Sequence, residues 1–326
     1  MIKNTLSNAE LARYARHIAI PEFGIEAQEK LKAAKVLVIG AGGLGSPLLL
    51  YLTAAGVGKI GIVEFDVVDE SNLQRQVLYD VSDIGKSKAK TAKKKLSKLN
   101  PHILIEVFEK PFTAQNAKKI SKDYDIIADG TDNFPTRYLT NDVCVLYDKV
   151  NVYASIFRFE GQVSVFNYVE KNGERGPNYR DLFPEPPPPG TVPSCAEGGV
   201  LGVLPGIIGS LQANEVIKII TGVGEPLSGR LFLFDAALFT TRILKIRKNP
   251  ATKITKLIDY EAFCGILKFI KTEELKRISV EELQKWIQEG KNFQLIDVRE
   301  SYEYDIANLN GTLIPMNKMI GNLDKI

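Results

Sequence analysis

A short apolar strand that runs straight into a glycine-rich turn and then an apolar helix leaves a chain few folds to choose from. Residues 35–56 read KVLVIGAGGLGSPLLLYLTAAG, and KIGIVEFD follows from Lys59. The run 35–39 has the continuous apolar character of a strand buried on both faces. Gly40, Gly42, Gly43 and Gly45 form the turn after it, where backbone amides and a helix N-terminus can approach phosphate. Gly56 stops the helix. Glu64 ends the second strand, where an acid hydrogen-bonds a ribose hydroxyl. The pattern specifies a nucleotide, but it fits NAD or FAD as readily as ATP.

The alternation continues on both sides. Residues 8–34 predict two short helices, Ile84–Leu99 a basic helix stopped by Asn100-Pro101, and ILIEVF and YDIIADGTDN two further strands. Short apolar strands alternating with helices predict an α/β fold: a doubly wound, Rossmann-like, mostly parallel sheet covered on both faces. Ligands then sit beyond the carboxyl ends of the strands, so Gly40–Gly45, Glu64–Asp66 and Asp129–Asn133 gather at one rim. From Val150 the texture turns β-rich, in VNVYASIFRFEGQVSVFN and GRLFLFDAALFTTRILKI. Between these lie a proline-rich loop, LFPEPPPPGTVPSC, and a buried helix over about 206–220. A polar stretch from 248 on to about 272 reads as a linker. A new α/β unit begins near ISVEELQKWI, which divides the chain into 1–272 and 273–326.

Composition excludes some classes. The net charge of +3 in 326 residues is too small for a general nucleic-acid binder, and the lysines of GKSKAKTAKKKLSKL read as a solvated helix face, with one exception below. The longest apolar run, Val200–Ile208, is broken by glycine and proline and is too short to cross a bilayer. No secretory leader is apparent, and three scattered cysteines make no disulfide framework, so a cytoplasmic location is expected.

The segment DVVDESNLQRQ after the second strand distinguishes the nucleotides. A dehydrogenase needs apolar cover for its nicotinamide. Ser71, Asn72, Arg75 and Gln76 instead offer polar and cationic groups that suit phosphate oxygens gaining charge in a transition state. Lys88, on the first turn of the basic helix, adds a cation, and Asp66 opens the loop. A surface ion pair is nonetheless the commoner role for an arginine such as Arg75. Asp132 could hold a Mg²⁺ that bridges ATP phosphates, with Asn133 beside it; a turn or helix cap suits both residue types equally. Arg137 would cap or pair with this loop. The only histidines are His17 and His102. A carboxylate nucleophile, ionised at neutral pH, needs no general base. Cys195, in PSCAEGG, is placed to accept an activated acyl group or to do no chemistry at all. Cys144 and Cys264 read as packing residues.

Taken together, RYARHI, GAGGLGSP, DVVDESNLQRQ, IGKSKA, DGTDNFPTRY, FRFEGQVSVF, RDLFPEPPPP and PSCAEGGVLGVLPGIIGSLQANEVIK closely resemble the MoeB/ThiF family, relatives of the ubiquitin-activating enzymes, over about residues 8–265. The resemblance implies an ATP- and Mg²⁺-dependent adenylyltransferase. Its partner would be a small ubiquitin-like (β-grasp) sulfur-carrier protein, whose C-terminal Gly-Gly carboxylate becomes an acyl-adenylate with release of pyrophosphate. Sulfur transfer would then serve molybdopterin or thiamin-thiazole synthesis. It also implies that Gly43 contacts the nucleotide, Glu64 the ribose, and the 71–75 segment and Lys88 the phosphates. Asp132 would bind Mg²⁺. Arg16 would enter the neighbouring subunit's site in a homodimer, and Cys195 matches a cysteine that bonds covalently to the carrier in some relatives and is dispensable in others. Rival readings are an NAD(P)- or FAD-dependent oxidoreductase, a non-catalytic nucleotide- or carrier-binding module, and adenylation of a small substrate.

The chain departs from the family pattern in two places. Asn178 and Asp181 stand where a zinc-binding cysteine pair is expected, and NPATKITK offers no second pair, so no zinc site is expected. The segment from Ile278 resembles the opening of a rhodanese domain, and the chain ends at Ile326, before the loop that would carry a persulfide-forming cysteine.

Overall fold

A computed structural model describes residues 5–188, 191, 198–265, 277–319 and 322. The chain divides into two compact units, 1–266 and 267–326.

The larger unit is built on one eight-stranded sheet: β1 (Lys35–Ile39), β2 (Lys59–Val63), β3 (Leu104–Phe108), β4 (Ile126–Asp129), β5 (Val150–Phe157), β6 (Glu160–Phe166), β7 (Arg230–Asp235) and β8 (Thr240–Lys245). Their order is β3-β2-β1-β4-β5-β6-β7-β8. The first five are parallel and the last three pairings antiparallel. The parallel half matches the alternating pattern, and the antiparallel half matches the β-rich texture.

Helices cover both faces. In chain order they are α1 (Asn8–Arg13), α2 (Ala15–Ile18), α3 (Gly24–Ala33), α4 (Gly45–Ala55), α5 (Lys88–Leu99), α6 (Ala117–Ser121), α7 (Phe134–Leu146), α8 (Tyr179–Leu182), α9 (Leu204–Thr221) and α10 (Tyr260–Phe263). Alternate strand residues sort onto the two faces, as a period of two requires. Val36 and Val38 join a core with Leu48, Leu52 and Val216 of α4 and α9. Leu37 and Ile39 join another with Ile120, Tyr138 and Val143 of α6 and α7. Cys144 and Cys264 are buried in this second core. No helix among the described residues is long and apolar enough to cross a membrane.

Two expectations change. The basic helix begins at Lys88 rather than Ile84, because Gly85 sits at φ +78° and Ser87 accepts from the Lys90 amide as N-cap. The stretch 248–265 is no free linker: Leu257, Ile258, Tyr260, Phe263 and Cys264 pack into the second core.

The segments where paired cysteines were expected are tied by hydrogen bonds. Asn178 caps α8, and its side-chain amide donates to Asp181 Oδ2 at 2.8 Å. Asp181 Oδ1 in turn accepts from the Asn249 amide at 3.1 Å. Nearby, the Arg180 guanidinium grips buried Asp142 with two 2.8 Å bonds, and the Tyr260 hydroxyl donates to the same carboxylate at 2.8 Å. The guanidinium lies over the rings of Tyr138 and Phe263, at 4.9 and 4.7 Å. This clamp joins α7, α8 and α10.

In the smaller unit, α11 (Val280–Gln288) is capped by Ser279 and precedes a parallel pair, β9 (Ile296–Asp297) and β10 (Thr312–Leu313). A short helix, α12 (Ser301–Ile306), lies between the strands.

Candidate functional site

The chain runs outward from β1 to β2 and β3, then returns to β4 on the other side of β1. At this reversal the connections after β1 and β4 leave in opposite directions and open a crevice, the usual ligand position in such sheets. The glycine turn follows β1, and residues 130–133 follow β4.

The two loops meet backbone to backbone. Gly130 N–H donates to the Ile39 carbonyl at 2.9 Å. A Cβ on Gly40, whose φ is +89°, would lie 3.0 Å from the Gly130 carbonyl oxygen, and one on Gly45 would lie 2.2 Å from the Gly40 carbonyl oxygen. These two glycines are therefore required by space, Gly40 also by conformation. Gly42 and Gly43 face outward to other segments: Gln76 Nε2 is 3.5 Å from a Cβ built on Gly42, and Pro205 of α9 and Arg75 Cδ are 3.3 and 3.7 Å from one on Gly43.

Glu64 is buried at the end of β2. Its Oε2 accepts from the Ala41 amide at 2.9 Å, and its Oε1 from the Phe65 and Asp66 amides at 2.8 and 3.0 Å. The acid thus braces the turn itself, and a carboxylate's roughly four acceptor positions leave room for a further donor. The Tyr79 hydroxyl donates to the Ala41 carbonyl at 3.0 Å from the other side. Burial, with Glu64 next, pushes that phenol well above its usual range, so it stays protonated as a donor.

The 70–76 loop is a single 3₁₀ turn, Glu70–Asn72, held by a reciprocal cap: Asp69 accepts from the Ser71 amide and hydroxyl at 2.9 and 2.5 Å, and Asn72 Oδ1 accepts from the Asp69 amide at 3.3 Å. Arg75 is half-buried and donates to the Ser71 carbonyl at 2.9 Å, and among the described residues it has no ion pair of the kind its residue type suggested. Gln76 is buried, and its Oε1 has no hydrogen-bond partner among the described residues. Lys88 is 5% exposed, unlike the solvated lysines of α5, and its ammonium lies 3.4 Å from exposed Asp66 Oδ2. A buried ammonium at that distance from a single carboxylate is weakly neutralised.

On the β4 side, Asp132 and Asn133 are exposed. Asn133 takes the cap role its residue type allowed: Oδ1 accepts from the Thr136 amide at 3.0 Å and starts α7. Arg137 pairs with the loop, Nη2 donating to the Thr131 carbonyl at 3.1 Å. Buried Asp129 had no sequence role beyond ending its strand. Its Oδ1 accepts from Thr131 while Oδ2 finds no partner. A D-G-T triplet reads locally as a turn, which hides this.

Arg16 is exposed on α2. His17 sits against Phe23 and Gln28 away from the turn, and His102 lies in the turn after α5. Cys195 lies outside the described residues.

Comparison with known proteins fits this geometry. The ThiF family model matches residues 14–255. A Mycobacterium tuberculosis protein named a probable adenylyltransferase/sulfurtransferase, MoeZ, is 54% identical over 316 residues, covering 96% of this chain and 80% of that protein. The sulfur carrier protein adenylyltransferase of Thermus thermophilus is 52% identical over 264 residues, covering 79% of this chain and 97% of that one. The adenylyltransferase and sulfurtransferase MOCS3 of Xenopus laevis is 45% identical over 323 residues, with 94% and 70% covered. Among solved structures, Escherichia coli MccB with MccA-N7isoASN superposes with a TM-score of 0.66 at 22% identity, covering 77% of this chain and 76% of that one, a likeness of fold.

Proposed function

The chain belongs to the ThiF family, and from that membership and the rim's geometry we propose that it adenylates the C-terminal Gly-Gly carboxylate of a ubiquitin-like sulfur-carrier protein, using Mg·ATP. The observation that carries this reading is the convergence on one glycine turn of Arg75, Gln76 and Gly130, with Lys88 joined to it through the Tyr79 hydroxyl, which lies 3.0 Å from the Ala41 carbonyl oxygen and 3.4 Å from that of Lys88. A nicotinamide site needs apolar cover at that place, and this one is lined with cations and amides.

In the proposed reaction the carrier's carboxylate oxygen attacks the α-phosphorus of ATP. A P–O bond forms there, the bond to the α–β bridging oxygen breaks, and pyrophosphate leaves with that electron pair. No proton moves, because the nucleophile is already ionised. Glu64 orients the ribose and keeps the turn's backbone in place. Asn72, Arg75 and Lys88 meet phosphate oxygens as charge develops on them. Lys88 is held near Asp66 only at 3.4 Å, so it is free to favour a phosphate instead.

Asp132, exposed at the rim, is the proposed Mg²⁺ ligand. Mg²⁺ keeps several waters and uses one or two carboxylates with substrate phosphates, and this donor set fits. The described residues hold no group of three or more His, Cys, Asp or Glu that would form an all-protein cage. When bound, the ion would neutralise charge on the departing pyrophosphate.

A protein substrate is supported by the sheet's edge. β8 is exposed along its length with Ile243 and Leu244, and Leu238 and Phe239 stand out at the hairpin tip. Such edges pair readily with another chain. A second copy of this chain, bringing Arg16 to the site, is supported by an apolar hollow of 440 Å³ lined by Pro47, Leu50, Tyr51, Val77 and Leu99, among others.

Intact-mass analysis tests the reading. A Gly-Gly-ended carrier incubated with protein and Mg·ATP is expected to gain an adenylate, and the same carrier with an amidated C-terminus is expected to gain none. Modification of the amidated carrier, or of neither, would contradict it.

A further inference from the structure

We propose that Asp129, Thr131 and Arg137 act as a positioning unit that aims the Asp132 carboxylate at its divalent cation. The inference rests on the reading of Asp132 as that cation's ligand. Thr131 is the hub. Its amide and its hydroxyl both donate to Asp129 Oδ1, at 3.0 and 2.6 Å, while its carbonyl accepts from Arg137 Nη2 at 3.1 Å. Its N–H, O–H and C=O are thus all committed to two buried, oppositely charged side chains.

The neighbours of Asp132 are tied as well. Gly130 hydrogen-bonds to Ile39 and sits in a tight place, where a Cβ would lie 3.2 Å from the Ile39 carbonyl oxygen and 3.4 Å from the Gly45 nitrogen. Asn133 is fixed as the cap of α7. Every residue of 130–133 except Asp132 is therefore anchored through the hydrogen bonds described, and Asp132 stands at the crest between the anchors. The Arg137 guanidinium is itself held in place over the rings of Phe134 and Tyr153, at 5.8 and 5.5 Å.

A turn needed only for chain reversal would not require this arrangement. Asp129 Oδ2 and Arg137 Nε are both buried without hydrogen-bond partners among the described residues. Such atoms are costly to leave unmet, and uncharged residues would close the same turn at less expense in desolvation. Opposite charges on either side of Thr131 orient the loop's dipoles, which a neutral turn would not do. The unit's hydrogen bonds end on Thr131, the residue before the proposed ligand, and so act on its position through the backbone.

The test measures cation affinity directly. Mn²⁺ is titrated into the full chain holding a non-hydrolysable ATP analogue, with free Mn²⁺ followed by electron paramagnetic resonance. Thr131→Val, which keeps the shape and removes the hydroxyl, is expected to weaken Mn²⁺ binding about tenfold, the lower end for loss of an outer-shell partner. Thr131→Ser is expected to restore it, and metal-free binding of the analogue is expected to stay at the parent's value in both. Arg137→Lys, which keeps the charge but not the paired geometry, is expected to weaken Mn²⁺ similarly and decides the matter if the valine variant does not fold. Parent-like Mn²⁺ affinity in these variants, alongside a large loss in Asp132→Ala, would overturn the positioning role alone. Parent-like affinity in Asp132→Ala would overturn the ligand reading and this inference with it.

Discussion

Two polar clusters lie in the same domain and treat buried charge in opposite ways. In the Asp142–Arg180–Tyr260 clamp, both carboxylate oxygens are met: Oδ1 accepts from Arg180 Nε and Asn141 Nδ2, and Oδ2 from Arg180 Nη2 and the Tyr260 hydroxyl. At the rim, among the described residues, Asp129 Oδ2, Gln76 Oε1 and Arg137 Nε are buried with no hydrogen-bond partner, and Lys88 has one long ion pair. The clamp has the pattern of a structural joint, satisfied by its own chain. The rim has the pattern of a site whose hydrogen bonds are to be completed by something else. Unmet buried polar atoms raise the energy of the folded chain, and Gln76 Oε1, Asp129 Oδ2 and Arg137 Nε are the ones that a ligand at the rim would meet.

The largest expected effect falls on the clamp. Asp142→Ala strands the Arg180 guanidinium among aromatic rings and is expected to cost about 3–5 kcal/mol of stability, as removing one partner of a buried pair generally does. Urea unfolding followed by circular dichroism measures this, and a parent-like midpoint would remove the distinction between the clusters. Arg75→Ala is expected to behave in the reverse manner. Turnover should fall by about two orders of magnitude, or ~3 kcal/mol in transition-state stabilisation, with the unfolding midpoint little changed. Carrier-dependent pyrophosphate release in both backgrounds separates a joint from a site.

A smaller effect concerns pH. Burial holds the Asp129 carboxyl above its ordinary value of 3.8, with Arg137 and Thr131 opposing it only in part. Between 3.8 and the folded-state value, the native chain keeps a proton that the unfolded chain has lost. The stability this group contributes is complete below the lower value and is lost as pH rises through the upper one. Asp129→Asn is expected to remove that slope from urea midpoints measured across acidic pH, and an unchanged slope would assign it to other groups. The smallest expected effect is that of Cys195→Ala, which should leave adenylation at the parent rate. Loss of carrier thiocarboxylate in that variant would show a covalent role, and its retention would show none.

These clusters also differ in how far the sequence revealed them. The glycine turn, β1 to β5 and the buried lysine of α5 were legible because glycines, strand periodicity and helix position are local signals. Asn72, Arg75 and Lys88, the proposed phosphate contacts, were singled out by the same local signals. Asn133 was readable only as one of two things, and the structure gives it the helix cap. The clamp was not legible. Asp142, Arg180 and Tyr260 are 38 and 80 residues apart along the chain, at separations fixed only by folding. The stretch KLIDYEAFCG, with charges between its apolar residues, looked like linker because the partners that bury Tyr260 and Phe263 come from α7 and α8. Thr131 and Asp129 were hidden in a turn-like triplet whose geometry depends on an arginine six residues beyond Thr131.

The central claim is that the rim activates a carboxylate through ATP, and ATP–pyrophosphate exchange tests it most directly. The intact chain is assayed with two Gly-Gly-ended carriers, one of the molybdopterin type and one of the thiazole type. Exchange that depends on Mg²⁺ and on either carrier's free C-terminus is the predicted result, and the active carrier identifies the pathway. Absence of exchange with both, together with tight binding of NAD or FAD, would contradict the account.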